Sequence, residues 1–138
     1  MTPRILLVDD DADDREIITD ALKALNADIQ VATADNGEEA LRILSGLLTN
    51  EKVPCLIVLD LNMPKMNGAQ ALKALKIHEE FQKVSVIIYS TSINDVEREK
   101  CLKLGAHSYI SKPLSYNECL QTAKLFLSLC EAKSYPSI

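Results

Sequence analysis

Leu56-Ile57-Val58-Leu59-Asp60 sets four aliphatic side chains in an unbroken row and ends the row on a carboxylate. A strand that faces water on one side alternates apolar and polar residues, so a continuous apolar row belongs to a strand covered on both faces. Ile5-Leu6-Leu7-Val8 has the same character and runs straight into Asp9-Asp10-Asp11. Outward from these two rows, short apolar runs alternate with stretches of helical period, which is the pattern of a parallel sheet sandwiched between helices. Strands are expected at residues 4–8, 29–34, 55–59, 84–89 and 107–110.

The helices between them carry recognisable starts and stops. The first is expected from Ala12, capped by Asp11, with Asp13, Asp14 and Glu16 in its positive first turn and Ile17, Ile18, Ala21, Leu22 and Leu25 facing inward. Asp14 is thereby assigned to the helix and not to any cluster. The second opens at residues 35–38, where Asp35 is the expected cap and Glu38 its reciprocal partner, and turns Ala40, Leu41, Leu44 and Leu48 inward before the polar stretch 49–54. The third covers 68–77. The fourth, 95–104, stops at Gly105 and offers Val96, Cys101 and Leu104 as a thin apolar stripe, so it is expected to be held least firmly. The fifth begins with a capping box at Ser115 and Glu118, with Leu114 and Cys119 as a staple, and buries Leu120, Ala123, Phe126, Leu127 and Cys130. Residues 1–132 are expected to form one domain, with 133–138 as a C-terminal tail and no output domain.

The bulk composition narrows the classes of function. Length 138, 47% hydrophobic and 25% charged residues suit one globular domain, and 4% aromatic content makes its core aliphatic. A net charge of -5, with 15 basic residues spread among 20 acids, argues against a nucleic-acid surface. The apolar run after Met1-Thr2-Pro3-Arg4 is too short for a signal peptide or a membrane span, which predicts a cytoplasmic protein without membrane association. The 4 cysteines, at 55, 101, 119 and 130, lack metal-ligand spacing and are expected as small buried apolar residues, not disulfides.

In an open parallel sheet the functional groups collect beyond the carboxyl ends of the strands. Here those positions read Asp9-Asp10-Asp11, Asp60, Ser90-Thr91-Ser92 and, after Ser111, Lys112-Pro113. Two like charges about 4 Å apart cost on the order of 4 kcal/mol at an effective dielectric near 20, so a rim holding Asp9, Asp10 and Asp60 requires compensation. A hard divalent cation such as Mg2+ supplies it through oxygen ligands, and Lys112 adds one further positive charge. The same set suits phosphoryl transfer, in which metal and lysine neutralise the equatorial oxygens while a carboxylate attacks in line. Asp60 is the expected nucleophile, fixed by its strand and flanked by the pre-set Met63-Pro64 and Asn67-Gly68 turns.

Three blocks now carry a family likeness: Leu6-Leu7-Val8-Asp9-Asp10-Asp11, Val58-Leu59-Asp60-Leu61-Asn62-Met63-Pro64-Lys65-Met66-Asn67-Gly68, and Gly105-Ala106-His107-Ser108-Tyr109-Ile110-Ser111-Lys112-Pro113. From about Arg4 to Cys130 the chain resembles a two-component response-regulator receiver domain. The resemblance implies an α/β, flavodoxin-like, doubly wound five-stranded parallel sheet of order 2-1-3-4-5. It implies that Asp60 is the phosphoacceptor, that Asp9, Asp10, Asp60 and the Asn62 carbonyl hold Mg2+, and that Lys112 binds the phosphoryl group. Ser90 matches the family's hydroxyl switch and Tyr109 its aromatic switch, which would turn inward on phosphorylation. The Lys112-Pro113 bond would be cis, as is common in the family. Thr91, bulkier than the small residue often found after the hydroxyl, would narrow the approach to the site. In detail, residues 47–54 and the stretch 89–94 resemble single-domain, chemotaxis-type receivers that serve bacterial phytochrome-type kinases. A sensor histidine kinase or histidine phosphotransfer protein would donate the phosphoryl group, and a downstream target or a second copy would read the switched face.

Rival readings fit less well. A phosphatase of the haloacid-dehalogenase type needs a second aspartate two residues after its nucleophile, where this chain has Asn62, together with a cap domain. A flavodoxin-like cofactor binder needs a Ser, Thr and Gly-rich loop after its first strand, where this chain has three acids. A phosphorelay intermediate and a phosphorylation-independent scaffold remain as alternatives within the receiver reading. His78, at a helix end, and His107, beside the last strand, are read as surface residues.

Overall fold

A computed structural model describes residues 4–49, 53–91 and 94–134. In chain order they form β1 (Arg4–Val8), α1 (Ala12–Leu25), β2 (Gln30–Ala34), α2 (Gly37–Thr49), β3 (Leu56–Asp60), α3 (Gly68–Ile77), β4 (Ser85–Ser90), α4 (Asp95–Lys103), β5 (Ser108–Ser111) and α5 (Tyr116–Ser134), with a single 3-10 turn at Glu79–Phe81. The sheet order is β2-β1-β3-β4-β5 and every pairing is parallel, which is the doubly wound flavodoxin-like arrangement.

Continuous apolar rows follow from this layering. Leu6 and Val8 of β1 point into a core shared with Leu44, Leu72, Leu75 and Cys101 from α2, α3 and α4, while Ile5 and Leu7 point into a core shared with Ile18, Leu22, Ala123 and Phe126 from α1 and α5. Each fully buried aliphatic side chain contributes roughly 1.5–3 kcal/mol, so neither face can tolerate a polar residue in these rows. β3 lies between β1 and β4, and all five of its residues are buried.

Three strand ends lie one residue beyond the expected ones. β3, β4 and β5 close on Asp60, Ser90 and Ser111, and the register still pairs Asp60 with Tyr89 and Ser90 with Ser111. The ladder is made by backbone groups, so it carries on through polar residues that an apolar-run criterion cuts off. Asp60 and Ser90 are therefore the last paired residues of their strands, while Asp9 and Lys112 come one residue after theirs.

Several helix expectations need correction. Asn36, not Asp35, caps α2: its Oδ1 accepts from Glu39 N at 2.9 Å, and its own amide donates to Asp35 Oδ1. Val96 is 79% exposed, leaving Cys101 as the buried residue of α4, which accords with a loosely held helix. Leu114 is 92% exposed and forms no staple; instead Glu118 Oε2 accepts the Leu114 N–H at 2.7 Å while Ser115 Oγ accepts from Glu118 N. Ile17, expected inside, is half-exposed because it lies at the margin of the α1 stripe. The α5 helix continues through Ser134, two residues into the expected tail, whose last residues, 135–138, lie outside the described ones. Asp11 does cap α1, and Gly105, with φ +109, ends the α4 region as expected.

The cysteines also depart from expectation. Cys101 and Cys119 are buried thiols, but Cys55 and Cys130 form a disulfide across 75 residues, with Cα atoms 4.9 Å apart. The two lie at the start of β3 and near the end of α5, and only the folded sheet brings them together. Oxidation of this pair closes a long loop, for which chain entropy predicts about 4 kcal/mol of stabilisation as an upper figure. Cys55→Ser is therefore expected to lower the urea midpoint of the oxidised protein, while in excess dithiothreitol the wild type should match the variant; equal midpoints under oxidising conditions would refute the contribution.

Candidate functional site

The site is built where β1, β3, β4 and β5 end side by side. Asp9, the residue after β1, is 5% exposed and is fixed by its backbone: its N–H donates to Ala34 O at 3.0 Å and its carbonyl accepts from the Arg15 guanidinium. Its Oδ1 accepts the Asp11 N–H at 2.9 Å, which starts the turn into α1. Asp60 is also 5% exposed, and Ser90 on the neighbouring strand is 1% exposed. Asp10 reaches the same edge from the solvent side; carboxylate oxygens of Asp9, Asp10 and Asp60 all lie within 4.8 Å of one another.

Lys112 closes the arrangement. Its backbone N–H donates to Ser90 O at 2.7 Å, so the chain after β5 is tied to the end of β4. Its ammonium lies 2.8 Å from Asp9 Oδ2, 2.8 Å from Asp14 Oδ2 and 3.6 Å from Asp60 Oδ2, and 5.7 Å from the centre of the Tyr89 ring. Asp14, expected only in the first turn of α1, also belongs to the rim, because that turn carries its carboxylate back to Lys112. Arg15 is a second contact that the sequence pattern did not single out.

The β3–α3 loop is held just as closely. Gly68 N–H donates to Leu61 O at 2.9 Å, and a Cβ built on Gly68 would lie 2.5 Å from Asp60 O and 2.9 Å from Leu61 Cα. Lys65 takes the left-handed conformation, φ 64, to turn the loop, and Asn67 caps α3 in a reciprocal box with Gln70. Asn62 is exposed, with its N–H 3.3 Å from Asp60 Oδ1.

Burial and the charge of Asp9 push the Asp60 carboxyl up to about 7, against the opposing pull of Lys112 and the Asn62 N–H. Lys112 is held protonated well above its ordinary range: burial opposes its charge, but hydrogen bonds to Asp14 and Asp9 and the charges of Asp9 and Asp60 outweigh it. One ammonium does not settle the rim, since Asp60 still carries a large electrostatic penalty. The donors are all hard oxygens, crowded and of one sign, and this fits a divalent cation better than a further side-chain cation.

Tyr109 is 8% exposed and packed inward, in the core that includes Cys101 and Ala106. No peptide bond among the described residues is cis, so the Lys112-Pro113 bond, expected to be cis, is trans, the isomer that an X–Pro bond itself favours by about 0.5–1 kcal/mol. Thr91 is exposed beside the site, Ser92 lies outside the described residues, and His78 and His107 are exposed as expected.

Residues 5–124 match the family model described as the response regulator receiver domain. The chain belongs to that family. A chemotaxis protein CheY homologue of Campylobacter jejuni is 35% identical over 112 residues, covering 81% of this chain and 82% of the homologue. The crystal structure of the phosphorylated cyanobacterial phytochrome response regulator RcpA superposes with a TM-score of 0.86 at 30% identity, covering 99% of this chain and 100% of that one. The Mn2+-bound response regulator Rcp1 superposes with a TM-score of 0.82 at 26% identity, covering 98% and 99%. The chain spans only 50% of the length of the transcriptional regulatory protein PrrA of Mycobacterium tuberculosis, to which it is 35% identical. Receiver domains serve as aspartate phosphoacceptors in two-component signalling and bind Mg2+ or Mn2+ at an acidic pocket. Among the described residues no helix is long and apolar enough to cross a membrane.

Two outcomes follow from this geometry. A carboxyl raised in the fold is protonated there between the unfolded value, 3.8, and about 7, so it favours folding below that window and loses its advantage as pH rises through 7. In chelator, the stability of wild type relative to Asp60→Asn should therefore fall from pH 5 to pH 8, read by urea unfolding, and added Mg2+ should reverse the fall; a flat difference would contradict it. Gly68→Ala should displace the Asp60 carbonyl and cost about 1–3 kcal/mol, since the obstructing atoms are backbone; an unchanged unfolding midpoint would show that the loop yields freely.

Proposed function

We propose that the chain is a response regulator that takes a phosphoryl group onto Asp60, in a Mg2+-dependent step, from a sensor histidine kinase or a histidine phosphotransfer protein. The observation that carries this reading is the meeting of Asp9, Asp10 and Asp60 within 4.8 Å of one another with Lys112 beside them. Asp9, Asp10, Asp60 and the Asn62 carbonyl would hold the cation. When bound, Mg2+ supplies charge neutralisation for the incoming phosphoryl oxygens.

The chain's own groups account for the rest of the step. An Asp60 carboxylate oxygen attacks phosphorus, the bond from phosphorus to the donor's imidazole nitrogen breaks, and the imidazole leaves with the electron pair and takes a proton. Burial at the end of β3 fixes the attacking oxygen, and the Gly68 close approach fixes the loop beside it. Lys112 moves its ammonium from the carboxylates to the phosphoryl oxygens, and Ser90 donates its hydroxyl to another of them. Reset follows a separate step, autodephosphorylation: water attacks phosphorus and gives up a proton, the bond from phosphorus to the Asp60 oxygen breaks, and inorganic phosphate and the Asp60 carboxylate are released; this makes the chain a slow catalyst of its own reset, not a conventional enzyme.

Output would pass through the α4, β5 and α5 face, by a population shift between two arrangements. Support comes from α4, held by a single buried side chain, and from exposed Leu114 and Leu125, which with Thr91 and Lys112 line a groove of about 440 Å³. The inward Tyr109 would stabilise one of the two arrangements. A downstream protein or a second copy would bind there, and a cytoplasmic setting with no nucleic-acid or membrane contact suits an acidic chain of this kind. We further propose a phytochrome-type kinase as donor, on the likeness to RcpA. Onward relay of the phosphoryl group and a phosphorylation-independent scaffold are the alternatives.

Incubation with acetyl phosphate and Mg2+ should add one phosphoryl mass in intact mass spectrometry, and chelation or Asp60→Asn should abolish it. Persistence of the adduct in Asp60→Asn would overturn the assignment.

A further inference from the structure

We propose that Asp14 is a positioning residue for Lys112: it holds the ammonium partly away from Asp60 until an anion on Asp60 draws it off. The proposal rests on the phosphoacceptor reading of Asp60. A lysine ammonium has three N–H donors, and here it has three carboxylate neighbours. Asp9 and Asp14 take the two short contacts, each 2.8 Å, and Asp60 the long one, 3.6 Å.

The two close partners are unequal. The Asp9 side chain is 7% exposed and belongs to the acidic cluster, so losing Lys112 would leave it buried and uncompensated. The Asp14 side chain is 35% exposed, stands apart from that cluster and can return to water. It is also secured independently, because its own N–H donates to Asp11 Oδ1 at 3.2 Å in the first turn of α1. Asp14 is thus the partner that can yield when phosphoryl oxygens compete for the ammonium. It sets how much must be given up before Lys112 engages them, without touching the reacting atoms itself.

Two measurements test this in the full chain. The first follows hydrogen exchange of the Lys112 ammonium protons by NMR in metal-free protein. Asp14→Asn should speed that exchange several-fold, and Asp13→Asn, the same charge change on an exposed neighbour, should not. Unchanged exchange in Asp14→Asn would overturn the contact.

The second titrates beryllofluoride, a mimic of a phosphoryl group on a carboxylate, with Mg2+ present. Asp14→Asn should bind it about twofold to fivefold more tightly, the range expected for release of a half-exposed ion pair. Asp14→Glu should return toward wild type, and Asp13→Asn should match wild type. Equal affinity in wild type and Asp14→Asn, or an equal gain in Asp13→Asn, would overturn the proposal. Failure of the wild type itself to bind beryllofluoride would instead bring down the phosphoacceptor reading.

Discussion

A buried carboxylate that cannot be fully neutralised by its own protein is the constraint around which this fold is arranged. Asp60 ends β3, and the strand that places it is covered on both faces, so the group has little recourse to water. Asp9 arrives from β1 with the same sign, and Lys112 arrives from β5 with the opposite one but divides its charge among three acids. Burial first, and the like charge of Asp9 second, keep the Asp60 carboxyl near 7, and the same crowding of oxygens suits the edge to a cation.

The framework around that imbalance is stiff where the chemistry needs it. Gly68 packs its Cα against the Asp60 carbonyl, Asn67 and Gln70 lock the start of α3, and the Lys112 backbone is bonded to the end of β4. The α4 helix contrasts with this, buried through Cys101 alone and with Val96 in solvent. Rigid strands and a loosely held helix share one edge, which is the arrangement a switch requires if local charge is to be converted into a change of surface.

What could be read from the sequence was whatever depends on local order. The unbroken rows of β1 and β3, the acids that follow them, the Asp11 cap and the Gly105 stop all follow from neighbours a few residues apart, and the strand order follows from the family likeness these motifs carry. The contact between Asp14 and Lys112 spans 98 residues, and the Cys55–Cys130 pair spans 75; neither has a local signature, because each depends on how α1 and α5 settle on the sheet. The expected Asp35 cap and Leu114 staple failed for a different reason. Asp35 and Asn36 are chemically near-equivalent caps, so helix entry decides between them, and an apolar residue next to a capping box need not have a surface to cover. The inward Tyr109 likewise depends on the space left by Cys101 and Ala106, which no spacing rule reports.

The bond between Cys55 and Cys130 lies at the opposite edge of the sheet from Lys112, while the first turn of α5 follows directly on the Lys112 loop. The nineteen residues of α5 extend for about 28 Å, so the crosslink acts near one end of a long rod whose other end stands beside the charged rim. A rod tethered in this way is restrained against sliding along its own axis. The far end, beside the rim, carries Leu114 and Tyr116, 92% and 67% exposed.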